Sequence, residues 1–249
     1  MRGHAPFKPA DLAELDDRLL GEALAVVTMA AVAGGQQWPQ VIGLRHDVDN
    51  TIEPAVAFAR WEEDRGYRST YFVLHTAPYW ADKRLLRDSL DAIAAAGHEI
   101  GIHNNALAAA YDDGGDPAMI LDAACEELRG YGHDIAGTVA HGDNRCYDSR
   151  GKIRFVNDEV FAECARPEYG PAIRKHGKLI IDPVPLADLG LTYDANWLPR
   201  AWYASDSGGR WRPGFDEVAD GYPRDDGQLH LLVHPDWWAE AFDGVAAAA

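Results

Sequence analysis

The chain has 249 residues, of which 47% are hydrophobic, and it carries 23 Lys and Arg against 40 Asp and Glu, a formal net charge of −17. This apolar fraction excludes a disordered acidic chain and is sufficient for one large buried core. The negative charge argues against partners bound by phosphate neutralisation and against anionic membrane surfaces. We therefore expect no nucleic-acid partner and no membrane partner.

The cysteine pattern and the N-terminal region indicate the compartment. Three cysteines, Cys125, Cys146 and Cys164, form no CxxC pair, which is typical of a reduced protein. The apolar stretch at 19–35 is interrupted by Glu22 and preceded by acidic residues, where a signal peptide needs positive charge. We predict a buried or amphipathic helix there, and a cytoplasmic protein.

Short β-rich runs alternate with helical stretches along the chain. Strands are predicted at 41–44, 69–74, 98–103, 137–140, 178–181, 201–204 and 229–233. Helices are predicted at 54–65, 82–96 and 117–128, with Asp82 as an N-cap and Gly97 as a stop for the second of them.

Strands spaced by roughly 30 residues, with a helix after each, are typical of βαβ units and a parallel sheet. The pattern predicts an α/β fold, a distorted (β/α) barrel of about seven parallel strands in a single domain, with an open doubly wound sheet as the alternative. The predicted organisation is a helical lead-in at 1–40 that packs on the barrel, the barrel at 41–240, and a frayed tail at 241–249.

Ionisable residues follow the predicted strands one after another. They are Asp47, Asp49, His75, His103, His141, Asp206 and His234. The carboxyl ends of parallel strands meet at one edge, and burying such groups unpaired costs several kcal/mol each. Imidazole and carboxylate are the usual ligands of zinc and related ions. The sequence therefore predicts one divalent metal ion at this edge, with zinc as the first candidate.

Five motifs carry a family resemblance: IGLRHDVDN at 42–50, STYFVL at 69–74, GHEIGIH at 97–103, SDSGGRW at 205–211 and VHPDWW at 233–238. In this order they resemble the polysaccharide deacetylase (NodB-homology) superfamily, in the branch whose first motif reads RHDVD rather than TFDDG. The resemblance implies a distorted β/α barrel, a divalent metal, and hydrolysis of an N-acetyl group, usually on an amino sugar.

The resemblance also implies roles for four residues. Asp47 matches the general base that takes a proton from the attacking water, and Asp49 matches a metal ligand. His103 matches the first histidine of the family's HxxxH metal pair, and His234 matches the acid that protonates the leaving amine. A carboxylate and an imidazole are suited to these two proton transfers.

The chain departs from the family pattern at one ligand. The second histidine of HxxxH falls at Leu107. His141, at the end of the next predicted strand, is the first candidate to replace it. His75 is the second candidate, and Asn104 or Asp143 could contribute an oxygen.

Several further residues are assigned to substrate binding or orientation. Arg145 is matched to the family's motif arginine, and Arg45 is expected to pair with Asp47 or another carboxylate and keep it ionised. Asp206 either orients the base or the acid, or caps the SDSGG turn. His75 is included in this group as well.

The aromatic residues and the other histidines are interpreted more simply. Trp211 and Trp237 either pack at the edge of the core or present a face to a sugar ring. His98 and His230 lie at strand beginnings and are predicted to be structural, whereas His46 is placed at the reactive edge.

These observations favour a metal-dependent amide hydrolase that removes an acetyl group from an N-acetylated sugar or glycan precursor. A catalytically inactive carbohydrate-binding barrel is one alternative, supported by Leu107. Hydrolysis of a non-sugar C–N bond is the other.

Overall fold

The computed structural model describes residues 6–35, 40–164, 173–221 and 227–242. Its strands are β1 Ala25–Val27, β2 Val41–Val48, β3 Thr70–Leu74, β4 Glu99–Asn104, β5 Gly137–Ala140, β6 Arg174–His176, β7 Leu179–Ile181, β8 Tyr193–Asp194, β9 Trp202–Ser205 and β10 Gln228–Val233. Its α-helices are α1 Pro9–Leu15, α2 Met29–Ala33, α3 Glu53–Glu63, α4 Lys83–Ala95, α5 Ala106–Asp113, α6 Pro117–Gly130 and α7 Phe215–Gly221. Of the predicted tail, 243–249 lie outside the described residues.

One main sheet carries the fold. Seven strands follow the order β8-β5-β4-β3-β2-β10-β9, and β1 pairs with β2 beside them. The pairs β1–β2, β2–β10, β9–β10, β4–β5 and β5–β8 are parallel, and the sheet is curled into a half-barrel. The predicted α/β fold with a parallel, barrel-like sheet is confirmed. Within the described residues, no helix is long and apolar enough to cross a membrane.

The chain divides into two compact units. The first unit comprises residues 1–72, 77–100 and 198–249, and the second comprises 73–76 and 101–197. In the first, α1, α3 and β2 contact the 3-10 helix Pro235–Phe242. In the second, α5 packs against α6 and against β7.

The prediction of a sheet strand at 178–181 is wrong. Residues Leu179–Ile181 form β7, which pairs antiparallel with β6 in a separate two-stranded sheet. The two strands are joined through Gly177, whose φ of +62° is the left-handed conformation that such a tight turn requires. The strand beside β5 is β8 instead, and its two residues are too few to show a β-rich pattern in the sequence.

The predicted helix at 19–35 is not continuous. A π-helix, Asp16–Leu20, is followed by β1, and only then by α2. The β-branched Val26 and Val27 favour a strand, and Thr28 caps α2 by accepting the Ala31 N–H at 3.2 Å. The lead-in at 1–40 is therefore not purely helical, because β1 joins the main sheet.

Helix α4 begins and ends where the sequence predicts. The Asp82 carboxylate accepts the backbone N–H of Leu85 at 3.0 Å, which satisfies one of the donors left open at a helix N-terminus. Gly97 follows the helix with a φ of +86°. A Cβ at this position would lie 2.8 Å from Arg68 Nε, so the turn into β4 requires glycine.

A buried ionic network lies beneath β2. All eight residues of β2 are buried, and the Glu62 carboxylate on α3 is fully enclosed. It accepts hydrogen bonds from His46 Nε2 at 2.7 Å, Ser69 Oγ at 2.6 Å and Tyr71 OH at 2.7 Å. Burial alone raises the pKa of this carboxyl, but the charge and hydrogen bond of His46, then the charge of His98, lower it below its ordinary value. Glu62 is therefore an ionised acceptor shared by strands and helix.

Glu62→Ala is expected to lower the free energy of unfolding by about 3–5 kcal/mol, because it leaves three buried donors without their acceptor. Glu63→Ala is the matched control, since Glu63 is the exposed neighbour on the same helix and its loss is expected to cost under about 0.5 kcal/mol. Urea unfolding of the two variants measures the difference. Equal effects would contradict a structural role for the network.

Candidate functional site

Two histidines form a close pair in the second unit. His103 lies in β4, and His141 follows β5. His141 Nδ1 is 3.2 Å from His103 Nε2, and His103 Nδ1 is 3.0 Å from the carbonyl oxygen of Val139. A carbonyl only accepts, so His103 Nδ1 carries the proton and its Nε2 presents a lone pair. This is the arrangement by which proteins orient a metal-binding imidazole.

The spacing of the pair fits two ligands of one ion. Tetrahedral zinc with Zn–N bonds of about 2.0–2.1 Å holds neighbouring ligand nitrogens about 3.3 Å apart. A neutral imidazole can place its proton on either nitrogen, so His141 needs only a change of tautomer to present Nδ1. Two imidazoles at this spacing fit a divalent metal site. Asp49, the carboxylate expected as a further ligand, belongs to the first unit, and its role stays a prediction.

Leu107, which stands where the family has its second histidine, is fully buried on α5. The other candidates to replace that histidine have hydrogen-bond partners of their own. His75 Nε2 accepts the backbone N–H of Asn105 at 3.0 Å. Burial, followed by the charges of His103 and His141, lowers the pKa of His75 to about 4. His75 is therefore a neutral residue that orients the backbone beside the histidine pair.

The two candidates for an oxygen ligand, Asn104 and Asp143, are also hydrogen-bonded to other residues. Asn104 donates to the carbonyl of Asn157 at 2.9 Å, and its amide oxygen accepts the Ala106 N–H at 3.0 Å. Asp143 accepts from Arg145 Nη2 at 2.7 Å. Although burial opposes it, these Arg145 hydrogen bonds hold the pKa of Asp143 well below its usual range. The predicted substrate contact of Arg145 stays a prediction, since its guanidinium also contacts Asp112 at 3.1 Å.

Asn157 is a site residue that the sequence interpretation did not single out. It is fully buried, and its Nδ2 donates to the carbonyl of His141 at 2.9 Å and to Asn105 Oδ1 at 3.0 Å. Its Oδ1 accepts the Ala108 N–H at 3.1 Å. One amide thus fixes the loop that carries His141 to the start of α5. No motif marks Asn157, because its partners are up to 53 residues away along the chain.

In the first unit, the predicted general base Asp47 lies beside the Arg45 guanidinium. Asp47 lies within β2, and Arg45 Nε is 3.5 Å from Asp47 Oδ1, with both side chains buried. The expected ion pair is therefore present. The placement of His46 at the reactive edge is wrong. Successive side chains of a strand point to opposite faces, so His46 turns away from its neighbours to Glu62 and stacks on Tyr71, with ring centroids 4.3 Å apart.

Asp206 orients His234. The Asp206 carboxylate is fully buried and accepts from His234 Nδ1 at 2.6 Å and from Trp238 Nε1 at 2.8 Å. Burial lowers the pKa of His234, but the hydrogen bond and charge of Asp206, with the charges of Asp47 and Asp49, raise it from 6.5 to about 9. The SDSGG turn is closed by the backbone carbonyl of Asp206, which leaves the side chain to the imidazole.

Asp236 was also missed. Its carboxylate accepts from the backbone N–H groups of Asn50 and Thr51, each at 2.9 Å, and from the side chains of both residues. Asp236 lies two residues after His234, and Asn50 directly follows Asp49. The four hydrogen bonds therefore tie the loop after β2 to the loop after β10. The sequences DVD at 47–49 and HPD at 234–236 are the local signals for these residues, but they do not show which acid contacts which loop.

The tryptophans of the last motifs mainly pack. Trp238 is fully buried and stacks on Phe7 at 4.1 Å between ring centroids. Trp211 lies 6.1 Å from Phe7 and 5.6 Å from Phe215 in the same aromatic cluster. Trp237 is partly exposed, and its proposed contact with a sugar stays a prediction.

Comparison with known proteins shows a likeness to a solved structure. No protein-family model and no curated protein matches the chain. A solved structure titled "Structure of a family 4 carbohydrate esterase from Bacillus anthracis" is similar over 83% of this chain and 75% of that chain, with 15% sequence identity and a TM-score of 0.40.

Asn157→Ala is expected to weaken zinc binding by about 10–100-fold, the usual effect of losing a group that orients a ligand. Calorimetric titration of the metal-free protein with zinc measures the change. Asn144→Ala, at an exposed position near His141 in the chain, is the control and is expected to leave the affinity unchanged. An unchanged zinc affinity in folded Asn157→Ala would show that the loop is held without this amide.

The imidazole of His234 is expected to titrate near pH 9 in the metal-free protein, observed by NMR and assigned by its loss in His234→Gln. Because the folded pKa lies above the ordinary 6.5, the stability that the Asp206 pair contributes is fully present below pH 6.5 and is lost as the pH rises through about 9. Asp206→Asn removes the acceptor charge and is expected to bring the midpoint to 6.5 or below. A midpoint that stays near 9 in this variant contradicts the assignment.

Proposed function

We propose that this protein is a metal-dependent amide hydrolase that releases the acetyl group of an N-acetylated sugar or glycan precursor. The observation that carries the proposal is the His103–His141 pair, with one tautomer fixed and a separation that suits two ligands of one ion. The resemblance of the DVD motif to the family's first motif supports Asp49 as the carboxylate ligand, and zinc is the first candidate ion. His141 thereby replaces the ligand that the family pattern places at Leu107.

In this proposal, Asp47 and His234 supply the proton transfers. A bound divalent cation polarises the amide carbonyl and acidifies water. Asp47 acts as the general base toward the attacking water, and Arg45 Nε lies 3.5 Å from its Oδ1 as the paired cation. The order of the motifs that resemble polysaccharide deacetylases supports this role for Asp47.

His234 acts as the general acid. A pKa of about 9 keeps its imidazole protonated at neutral pH, so a proton is available for the nitrogen that leaves as the C–N bond breaks. The bond from Nδ1 to Asp206 leaves Nε2 to deliver that proton. Asp206 holds the ring and stabilises its charge, as the carboxylate partner of a catalytic histidine does.

The substrate class follows from charge and composition. A protein with a net charge of −17 disfavours anionic polymers and accommodates neutral or cationic small molecules. The candidate is a sugar intermediate that feeds the assembly of a surface polysaccharide or a natural product, whose acetamido group is neutral and whose released amine is cationic. We place the reaction in the cytoplasm, on the cysteine pattern.

The proposal predicts zinc-dependent release of acetate from a panel of N-acetylhexosamines. Asp49→Ala, His103→Ala and His141→Ala are each expected to weaken zinc binding and to lower the rate at least about 100-fold, because each removes a ligand. Asp47→Asn is expected to retain zinc and lose about 10²–10⁴ in rate, because it removes only the base. Enzyme-coupled acetate detection and metal analysis separate these two effects.

His133→Gln is the control, since His133 lies in the loop between α6 and β5 and is outside the proposed ligand set. Its zinc content and activity are expected to match the parent protein. Sugar binding without turnover under any divalent ion would favour an inactive carbohydrate-binding protein. Turnover confined to non-sugar amides would retain the chemistry and replace the substrate class.

A further inference from the structure

The hairpin of β6 and β7 forms a small sheet of its own in the second unit. One face of the hairpin rests on that unit, because Leu179 and Ile181 are buried and β7 packs against α5. Arg174 lies opposite Ile181 on the neighbouring strand and forms an ion pair with the buried Glu159. The hairpin is therefore fixed to the second unit by apolar packing and by an ion pair.

The other face of the hairpin is exposed to solvent. Ile173 is 66% exposed and Ile180 is 53% exposed. Alternation along the strand places Lys178, Ile180 and Asp182 on the same side of β7, and Lys178 and Asp182 are exposed as well. Among the residues that the structure describes, neither of these two charged side chains has an ion-pair partner. β7 thus presents an isoleucine between a cation and an anion.

The outer edge of β7 also presents backbone groups. The register pairs His176 with Leu179 across a two-residue turn. In such a hairpin the residues next to the turn exchange backbone hydrogen bonds, and every second pair along the ladder does the same. The N–H and the carbonyl of Ile180 therefore point away from β6. Within the described part of the chain, no strand pairs with this edge of β7, and an open edge is a template for a further strand.

The open edge is short. Just beyond β7, the Val184 N–H donates to the carbonyl of Val160 at 3.0 Å, and the Val184 carbonyl accepts the Ala162 N–H at 2.9 Å. The edge that a partner can use therefore ends before Val184. A long strand of another protein would run on past this point, whereas a hairpin that turns back at Pro183 fits the available length.

The β7 strand of a second copy of this chain matches the edge in length and in charge. When the two strands run antiparallel with Ile180 opposite Ile180, Lys178 of each copy lies opposite Asp182 of the other copy. The same register places the turn residue Gly177 of one copy opposite Pro183 of the other, where the open edge ends. A two-fold interface has to be self-complementary, and opposite charges across neighbouring strands stabilise their pairing.

We propose that this protein forms a weak two-fold dimer, in which the β7 edges of two copies pair antiparallel about Ile180. The two hairpins then make one four-stranded sheet in the order β6-β7-β7-β6, with two Lys178–Asp182 ion pairs between the copies. Two short strands bury less area than the roughly 1,200–2,000 Å² of stable complexes, and a net charge of −17 on each copy opposes association. The dimer is therefore populated only at high protein concentration. The inference does not depend on the proposed reaction.

Sedimentation velocity of the full chain between about 10 μM and about 1 mM tests the dimer in a range suited to weak association. Lys178→Asp and Asp182→Lys are each expected to raise the dimer Kd at least about tenfold, because two attractive pairs become two repulsive pairs. Lys152→Asp and Asp188→Lys are the matched controls. They make the same charge changes at exposed positions of the same unit and are expected to leave the Kd unchanged to within about twofold at physiological salt, where distant charges are screened.

An equimolar mixture of the Lys178→Asp and Asp182→Lys chains is the sharpest test. In a mixed dimer, both contacts again join an acid to a lysine, so the mixture is expected to dimerise with about the parent Kd although neither chain does so alone. Failure of the two folded variants to form a mixed dimer would overturn the proposed register.

Ile180→Pro tests the backbone pairing. The Ile180 N–H is not used inside the hairpin, and an edge position of this kind tolerates proline. The variant is therefore expected to keep the circular dichroism of the parent chain and to remain monomeric up to about 1 mM. A parent chain that is itself monomeric at this concentration would overturn the proposal. So would a dimer that persists in all three variants, and the charge variants decide the matter should Ile180→Pro fail to fold.

Discussion

The arrangement of this protein depends on burying ionisable groups within a parallel strand. Strand β2 is buried along its whole length, yet it carries Arg45, His46 and Asp47 in sequence. Each of these groups needs a partner, because a buried charge without one is strongly disfavoured. Alternation along the strand separates the partners: Arg45 and Asp47 pair with each other, whereas His46 points to the Glu62 network. Because successive side chains of a strand point to opposite faces, His46 joins the structural network, whereas Arg45 and Asp47 form the pair that is proposed to act in the chemistry.

The loops at the carboxyl ends of the strands are each held by a polar side chain with several hydrogen-bond partners, which is buried in Asp206 and Asn157 and partly exposed in Asp236. Asp206 accepts hydrogen bonds from His234 and Trp238, and Asp236 accepts them from the loop that follows Asp49. Asn157 donates a hydrogen bond to the loop that carries His141. Each acceptor or amide joins segments that are distant in sequence. A site built this way holds its side chains in place before substrate arrives, which is the condition for efficient proton transfer and metal binding.

Much of the fold could be predicted from local patterns. The strands at 137–140 and 229–233 and helix α4 follow from short apolar runs, an N-cap and a glycine stop, all of which act within a few residues. The prediction failed where pairing is non-local. The apolar run at 178–181 forms a strand, but its partner is β6 across the turn at Gly177, and the two-residue β8 takes the place beside β5. Composition does not encode which strand lies beside which.

The candidate site, too, combines local features that the sequence predicts with contacts between distant residues that it does not. Residue types and motif order determined that carboxylates and imidazoles would follow successive strands, and that Leu107 would leave a ligand to be replaced. Only the tertiary structure decided that His141 lies 3.2 Å from His103, that His75 bonds to the Asn105 backbone, and that Asn157 and Asp236 hold the loops. The physical reason is that chemical type and strand period are local properties of a sequence, whereas a hydrogen-bonded pairing between distant loops depends on how the strands are ordered in the sheet.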